Sequence, residues 1–342
     1  MQARYYKHSL QFKQASGTSR GILTTKDSWF IELQEGGAKG LGECSLLAGL
    51  SYDDKPNFEQ QLSNLCEAIN SEKPLPELTE WPALEMGYEM ALLDLNQKNP
   101  YTLFPSNFSK GEDLIPINGL VWMGSFDFMN AQIKRLLDNG FNCIKLKIGA
   151  LNFKNELELL DQIRKEYGPK DVVIRVDANG AFSPVDALEK LKRLSEFDIH
   201  SIEQPIAINQ HKAMRALCDN SPLPIALDEE LIGHFSKKDQ ENLIRNIKPQ
   251  YLILKPSLIG GFKRSDQWIE IAESHGIGWW VTSALESNIG LNAIAQWTYK
   301  TNFRGNQGLG TGSLFSNNIA SPLVIKRGCL WTDKLIPWGK LP

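Results

Sequence analysis

The chain has 342 residues, 42% of them hydrophobic and 23% charged, with a formal net charge of −3. This is the composition of a globular protein with a large core and room for a second, smaller domain. It contains no long basic run and no stretch near the roughly 18 apolar residues that span a bilayer, so neither nucleic-acid binding nor a membrane helix is expected.

The opening MQARYYKHSLQFKQ lacks an apolar core segment and is not expected to act as a signal peptide. Cys44, Cys66, Cys143, Cys218 and Cys329 are scattered without a C-x-x-C pair, which points to a reduced, cytoplasmic protein. The histidines form no zinc-binding pattern. Residues 1 to about 55 read as strands, with apolar runs at Leu10–Lys13 and Trp29–Leu33 and a turn at Glu35-Gly36-Gly37. Helical spacing follows over Phe58–Ile69 and Leu84–Asn96. This α+β block is expected to span 1–110.

From Ile115 the pattern becomes regular. Strands are predicted at Ile115–Trp122, Cys143–Ile148, Val172–Asp177, Ser201–Glu203, Ile225–Asp228, Tyr251–Lys255, Gly278–Thr282 and weakly near Gly308. Amphipathic helices lie between them, for example Phe128–Asn139, Leu157–Tyr167 and Pro184–Phe197, the last with a Ser183-Pro184 start signal. Eight strands alternating with helices predict a (β/α) barrel over 111–320. The tail 321–342 is strand-like and is expected to return to the N-terminal block.

Lys147, Asp177, Glu203, Asp228 and Lys255 each end a predicted strand and follow one another at 30, 26, 25 and 27 residues. A strand with its return helix takes about 25–30 residues, so these five side chains are expected at one shared barrel mouth. Any one of them alone reads as a solvated loop charge; the repetition points to a site. Asp177, Glu203 and Asp228 offer oxygen ligands suited to a hard divalent cation, Mg²⁺ or Mn²⁺, which also relieves their mutual repulsion. Alternation puts Lys145 and Lys147 on one face, about 6–7 Å apart along the backbone, where mutual repulsion favours a general base. Arg175 repeats that spacing with Asp177 and is expected to point inward, either orienting Lys147 and the carboxylates or pairing within a barrel layer.

KLKIG (145–149), RVDANGAF (175–182), IEQP (202–205), LDEE (227–230) and LKPSLIGG (254–261) together resemble the enolase superfamily, in its muconate-lactonising subgroup. The likeness spans the whole chain. It implies a (β/α)7β modified TIM barrel with an N-terminal α+β capping domain completed by the tail. It implies a Mg²⁺ site on Asp177, Glu203 and Asp228, and catalytic lysines at Lys147 and Lys255, with Lys145 beside them. The stretch WWVTSALES lacks the late histidine of the mandelate-racemase branch. Within the subgroup, TSALESNIGLNAIAQW and GLGTGSLFSNN are similar to the o-succinylbenzoate synthase family of menaquinone biosynthesis. That likeness implies dehydration of a small carboxylate.

Dipeptide epimerases and N-succinylamino acid racemases are the nearest alternatives. The epimerases tend to carry an Asp-x-Asp pair where this chain has Gly310-Thr311-Gly312. A non-catalytic metal-binding scaffold is disfavoured because both lysines are present. Ser283, Ser287 and Asn288 are candidate substrate donors, Ser287 equally a helix cap. Glu286 is a candidate partner of Lys255, and loops at Arg20–Thr24 and Leu46–Asp53 are expected to close over the mouth. Oligomeric state has no signal in the sequence.

Overall fold

The computed structural model describes residues 1–18, 21–122, 124–149 and 152–341, without the side chains of residues 15–18, 22 and 126. Its N-terminal block is an antiparallel sheet of β1 (Gln2–Thr18), β2 (Gly21–Glu35) and β3 (Ala38–Ser45), in that order. The hairpin runs well beyond the apolar runs that signal it, because polar residues occupy its exposed face.

Helices α1 (Phe58–Asn70) and α2 (Pro82–Leu95) cover the other face. Trp29, Ile31, Leu33, Leu62, Leu65 and Leu84 form a core private to this block. Strand β3 and helix α2 meet backbone to backbone: a Cβ on Gly42 would lie 1.8 Å from the Gly87 carbonyl oxygen.

The barrel begins with β4 (Ile115–Pro116), β5 (Gly119–Val121), α3 (Phe126–Asp138), β6 (Cys143–Lys147) and α4 (Phe153–Glu166). It continues through β7 (Val173–Asp177), α5 (Ala187–Ser195), β8 (Ser201–Glu203), α6 (His211–Asn220), β9 (Ile225–Leu227) and α7 (Lys237–Ile247). It ends with β10 (Tyr251–Leu254), α8 (Pro256–Ile259), α9 (Gly261–Ser274), β11 (Gly278–Val281) and α10 (Asn288–Lys300).

Strands β5 to β11 form one parallel sheet with neighbours in chain order. The eighth stave is only Gln307–Gly308, bridged to Ile117 on one side and Thr282 on the other. Ile144, Leu146, Ile174, Val176, Ile202 and Leu254 are buried in the main core. The alternate residues Lys145, Lys147, Arg175 and Asp177 therefore take the inner face.

Three boundaries differ from expectation. The run Ile115–Trp122 splits, because β4 pairs with the tail while β5 pairs with β6, and Ile117 between them bridges to Gln307. Helix α5 starts at Ala187 rather than Pro184, since Ser183 first accepts the Asp186 amide in a turn. The tail forms the hairpin β12 (Leu323–Lys326) and β13 (Cys329–Thr332), and its ladder runs to β4 of the barrel rather than to the N-terminal sheet. Beyond it, Trp338 packs on Tyr101 with ring centroids 4.6 Å apart. Among the described residues no helix is long and apolar enough to cross a membrane.

Candidate active site

Parallel register sets the site. Lys147 lies beside Asp177, and Asp177 beside Glu203, at the ends of β6, β7 and β8. Asp228 and Lys255 follow β9 and β10 directly. The carboxylates of Asp177, Glu203 and Asp228 are buried, and one oxygen from each lies within 4.8 Å of the others.

Three lysines meet them. Lys145 donates to Glu203 and, at 2.9 Å, to Asp177. Lys147 donates to Asp177 Oδ2 at 2.6 Å and to Asn179 Oδ1. Lys255 donates to Asp228 Oδ2 at 2.5 Å. All three lysines line a cavity of about 620 Å³ that also meets Leu47, Leu50, Trp122, Leu285 and Leu314.

The charge balance is uneven. Burial opposes ionisation of Asp177, yet Lys145 and Lys147 outweigh it and hold its carboxyl below the ordinary range. Glu203 goes the other way: burial, with Asp177 and Asp228 adding to it against Lys145, pushes its carboxyl up to about 7. Its Oε1 atom is buried with no hydrogen-bond partner. A buried acid triad with one orphaned oxygen fits an oxygen-ligated divalent cation.

Repulsion between the paired lysines does not dominate. Burial disfavours the Lys145 cation, but Asp177, Glu203 and Asp228 overcome this and hold its pKa above the ordinary lysine value. Lys255 is raised likewise, with burial outweighed by Asp228 and Glu229.

The expected substrate donors fare differently. Arg175 points inward but away from Lys147. It stacks on Trp280, 3.9 Å from guanidinium carbon to ring centroid, and donates to the Asn306 carbonyl at 2.9 Å, so it fills the barrel floor and does not line the cavity.

Ser287 is fully buried outside the cavity. Its hydroxyl donates to Glu43 at 2.5 Å and accepts from the Ile289 amide, which makes it a helix cap. Asn288 also stands outside the lining and donates to the Ile319 carbonyl at 2.6 Å.

Ser283 does line the cavity, but its one proton goes to Glu286 at 2.5 Å while it accepts from Thr311 at 2.7 Å and from the Leu285 amide at 3.0 Å. It has no donor left for a substrate in this arrangement. Glu286 is held by Ser257, Ser283 and the Ala284 amide, rather than by Lys255. Of the loops expected over the mouth, Leu47 and Leu50 reach the cavity. Arg20 lies outside the described residues.

Two cavity residues escaped the sequence reading. Asn179 accepts from Lys147 and donates to Glu229 Oε1 at 2.9 Å, and both Asn179 and Glu229 line the cavity. Their signal lay inside the DAN and DEE triplets, where only the first acid drew notice.

Residues 129–334 match the family model "Enolase C-terminal domain-like", and residues 1–95 match "MenC, N-terminal domain". An o-succinylbenzoate synthase of Desulfotalea psychrophila is 47% identical, with 96% of this chain and 98% of that protein aligned. The crystal structure of MenC from the same organism superposes with a TM-score of 0.89 at 43% identity, covering 97% of this chain and 99% of that one. An N-succinylamino acid racemase of an Amycolatopsis species is more distant, at 26% identity over 92% of this chain and 87% of its own length. Matched through cap and barrel alike, the chain belongs to the enolase superfamily and, within it, to the o-succinylbenzoate synthase family.

Proposed function

We propose that this chain dehydrates 2-succinyl-6-hydroxy-2,4-cyclohexadiene-1-carboxylate to o-succinylbenzoate, a step of menaquinone synthesis. The near-full-length identity of 47% to an o-succinylbenzoate synthase carries this reading. In it, residues 111–320 are the catalytic barrel, and 1–110 with the tail 321–342 are the cap.

Mg²⁺ or Mn²⁺ is the cation that Asp177, Glu203 and Asp228 would hold, and when bound it supplies Lewis-acid stabilisation of the substrate carboxylate. The remaining work falls to side chains of the chain. Lys147 removes the proton α to the carboxylate, and the C–H electron pair enters the ring. The neighbouring C–O bond then breaks, and the Lys147 ammonium returns its proton to the departing hydroxide, which leaves as water.

Lys255, cationic on the opposite side, steadies the developing negative charge and faces the ring as it becomes aromatic. Lys145, paired to Asp177 and Glu203, keeps the carboxylates in place beneath Lys147. Leu47, Leu50 and Leu285 exclude water from the ring.

The chain carries Gly310-Thr311-Gly312 where the epimerases tend to carry an Asp-x-Asp pair, so no acid stands there to grip an amine.

The test is direct. The purified chain with Mg²⁺ is expected to bleach the cyclohexadiene absorbance and form the aromatic product, to lose this activity with EDTA, and to regain it with Mg²⁺. A folded chain that left the diene untouched but exchanged the α-hydrogen of N-succinylamino acids in D₂O would overturn the reading.

A further inference from the structure

The barrel is incompletely closed along one side. Gln307 bonds to Pro116 and Asn118, at 2.9 Å each way, and Gly308 bonds to Val281 and Ser283. Above that foot, Gly119–Val121 pairs only with β6 among the described strands. The chain then runs from Gly308 to β12 without a helix, and the seam is lined outside by α3, through Gln132, Arg135 and Leu136, and by the β12–β13 turn.

The cavity follows this gap. It begins among Lys145, Lys147 and Lys255 and continues past Leu120 and Gly310 to Arg135, Lys326 and Arg327. Arg327 sits against Gly140, where a Cβ would meet the Arg327 Cα at 3.1 Å. Phe141, just before the five-residue strand β6, and Lys147, at its end, both line the cavity, so it runs at least the length of that strand, about 13 Å. One small dicarboxylate cannot touch both ends. Among the described residues, six basic side chains line the cavity and one acid, Glu229, which lies at the lysine end, so the outer arm is cationic with an apolar floor.

We propose that this outer arm is a lateral seat and passage for a dicarboxylate moving to or from the lysine cluster. The charge of the rim selects a dianion, and Leu120, Leu136 and Ile325 receive its ring. The identity of that dianion, the substrate or o-succinylbenzoate, rests on the proposed function. The passage itself does not.

Charge removal tests it. Arg135→Gln with Lys326→Gln removes two exposed rim charges, and each single variant stands behind the pair. Dehydration is followed against NaCl concentration, and binding of o-succinylbenzoate to the Mg²⁺-loaded protein is measured by calorimetry.

The double variant is expected to lower kcat/KM about three- to tenfold at low salt, with the deficit closing as salt screens the rim. An unchanged kcat/KM and salt slope would overturn the passage. Should the double variant lose its circular dichroism, the single variants decide: a lower kcat/KM that salt restores in Arg135→Gln or Lys326→Gln supports the passage, and parental values in both overturn it. If the parent chain does not dehydrate the diene, the functional reading has failed. The arm is then judged by calorimetry alone, where weaker dicarboxylate binding in the double variant supports it and equal binding overturns it.

Discussion

Two buried charge clusters in this protein differ in how completely they are satisfied. At the barrel mouth, among the described residues, three lysines and three carboxylates leave Glu203 Oε1 without a partner, and burial, with Asp177 and Asp228 beside it, pushes its carboxyl up to about 7 despite Lys145.

At the junction of cap and barrel, Lys26 donates to Ser28 and Ser45. Beside it, Glu43 accepts from Ser28, from the amide and hydroxyl of Ser287 and from the Gly290 amide, all at 2.5–2.9 Å. Glu286 nearby accepts from Ser257, Ser283 and the Ala284 amide. Each carboxylate oxygen there has a donor. A saturated cluster joins two parts of the molecule; a cluster one donor short has a place kept for something else.

The sharpest break in that comparison is Lys147→Ala. Activity is expected to fall by about 10³-fold or more, since the proposed reaction then has no general base, while the thermal midpoint shifts little. Steady-state assay and calorimetric melting of the same sample check both halves; retained turnover would remove Lys147 from the chemistry.

Glu43→Ala should do the opposite. It removes one of the carboxylates that face buried Lys26 and leaves the Ser287 and Gly290 donors at the start of α10 unpaired, so a loss of about 3–5 kcal/mol of stability is expected from urea unfolding. Activity per folded molecule should change far less than in Lys147→Ala. Equal stability would mean that the junction is not the clasp its bonds describe.

The smallest effect concerns Asp53. Burial raises its carboxyl to about 7, against the Ala83 and Leu84 amides that it accepts at 2.8 and 3.4 Å. The folded state therefore binds this proton more tightly than the unfolded chain does. That contribution is fully present below about pH 4 and is lost as pH rises towards 7. Asp53→Asn should flatten this part of the stability–pH curve, read as thermal midpoint between pH 4.5 and 7.5; an unchanged slope would exclude Asp53 as its source.

Much of this was legible in the chain. The recurrence of Lys147, Asp177, Glu203, Asp228 and Lys255 follows from the length of a strand plus its return helix, and a period survives any detail of packing. Which of its two readings would hold for Arg175 and for Ser287, and where Asn288 would go, was not legible, because each depends on which distant group reaches it first. Trp280 and Asn306 take Arg175, Glu43 takes Ser287, and Ile319 takes Asn288. A polar residue near a site in sequence is thus readily spent on holding the scaffold. The split of Ile115–Trp122 has the same origin, since the tail that pairs with β4 lies some two hundred residues away.

Helix α10 begins against a carboxylate, Glu43, that lies 244 residues earlier than Ser287. The start of that helix is therefore complete only when two segments far apart in the chain have met. Such a long closure is slow to form. Assembly of the last barrel helix is expected to hinge on the N-terminal sheet having already folded.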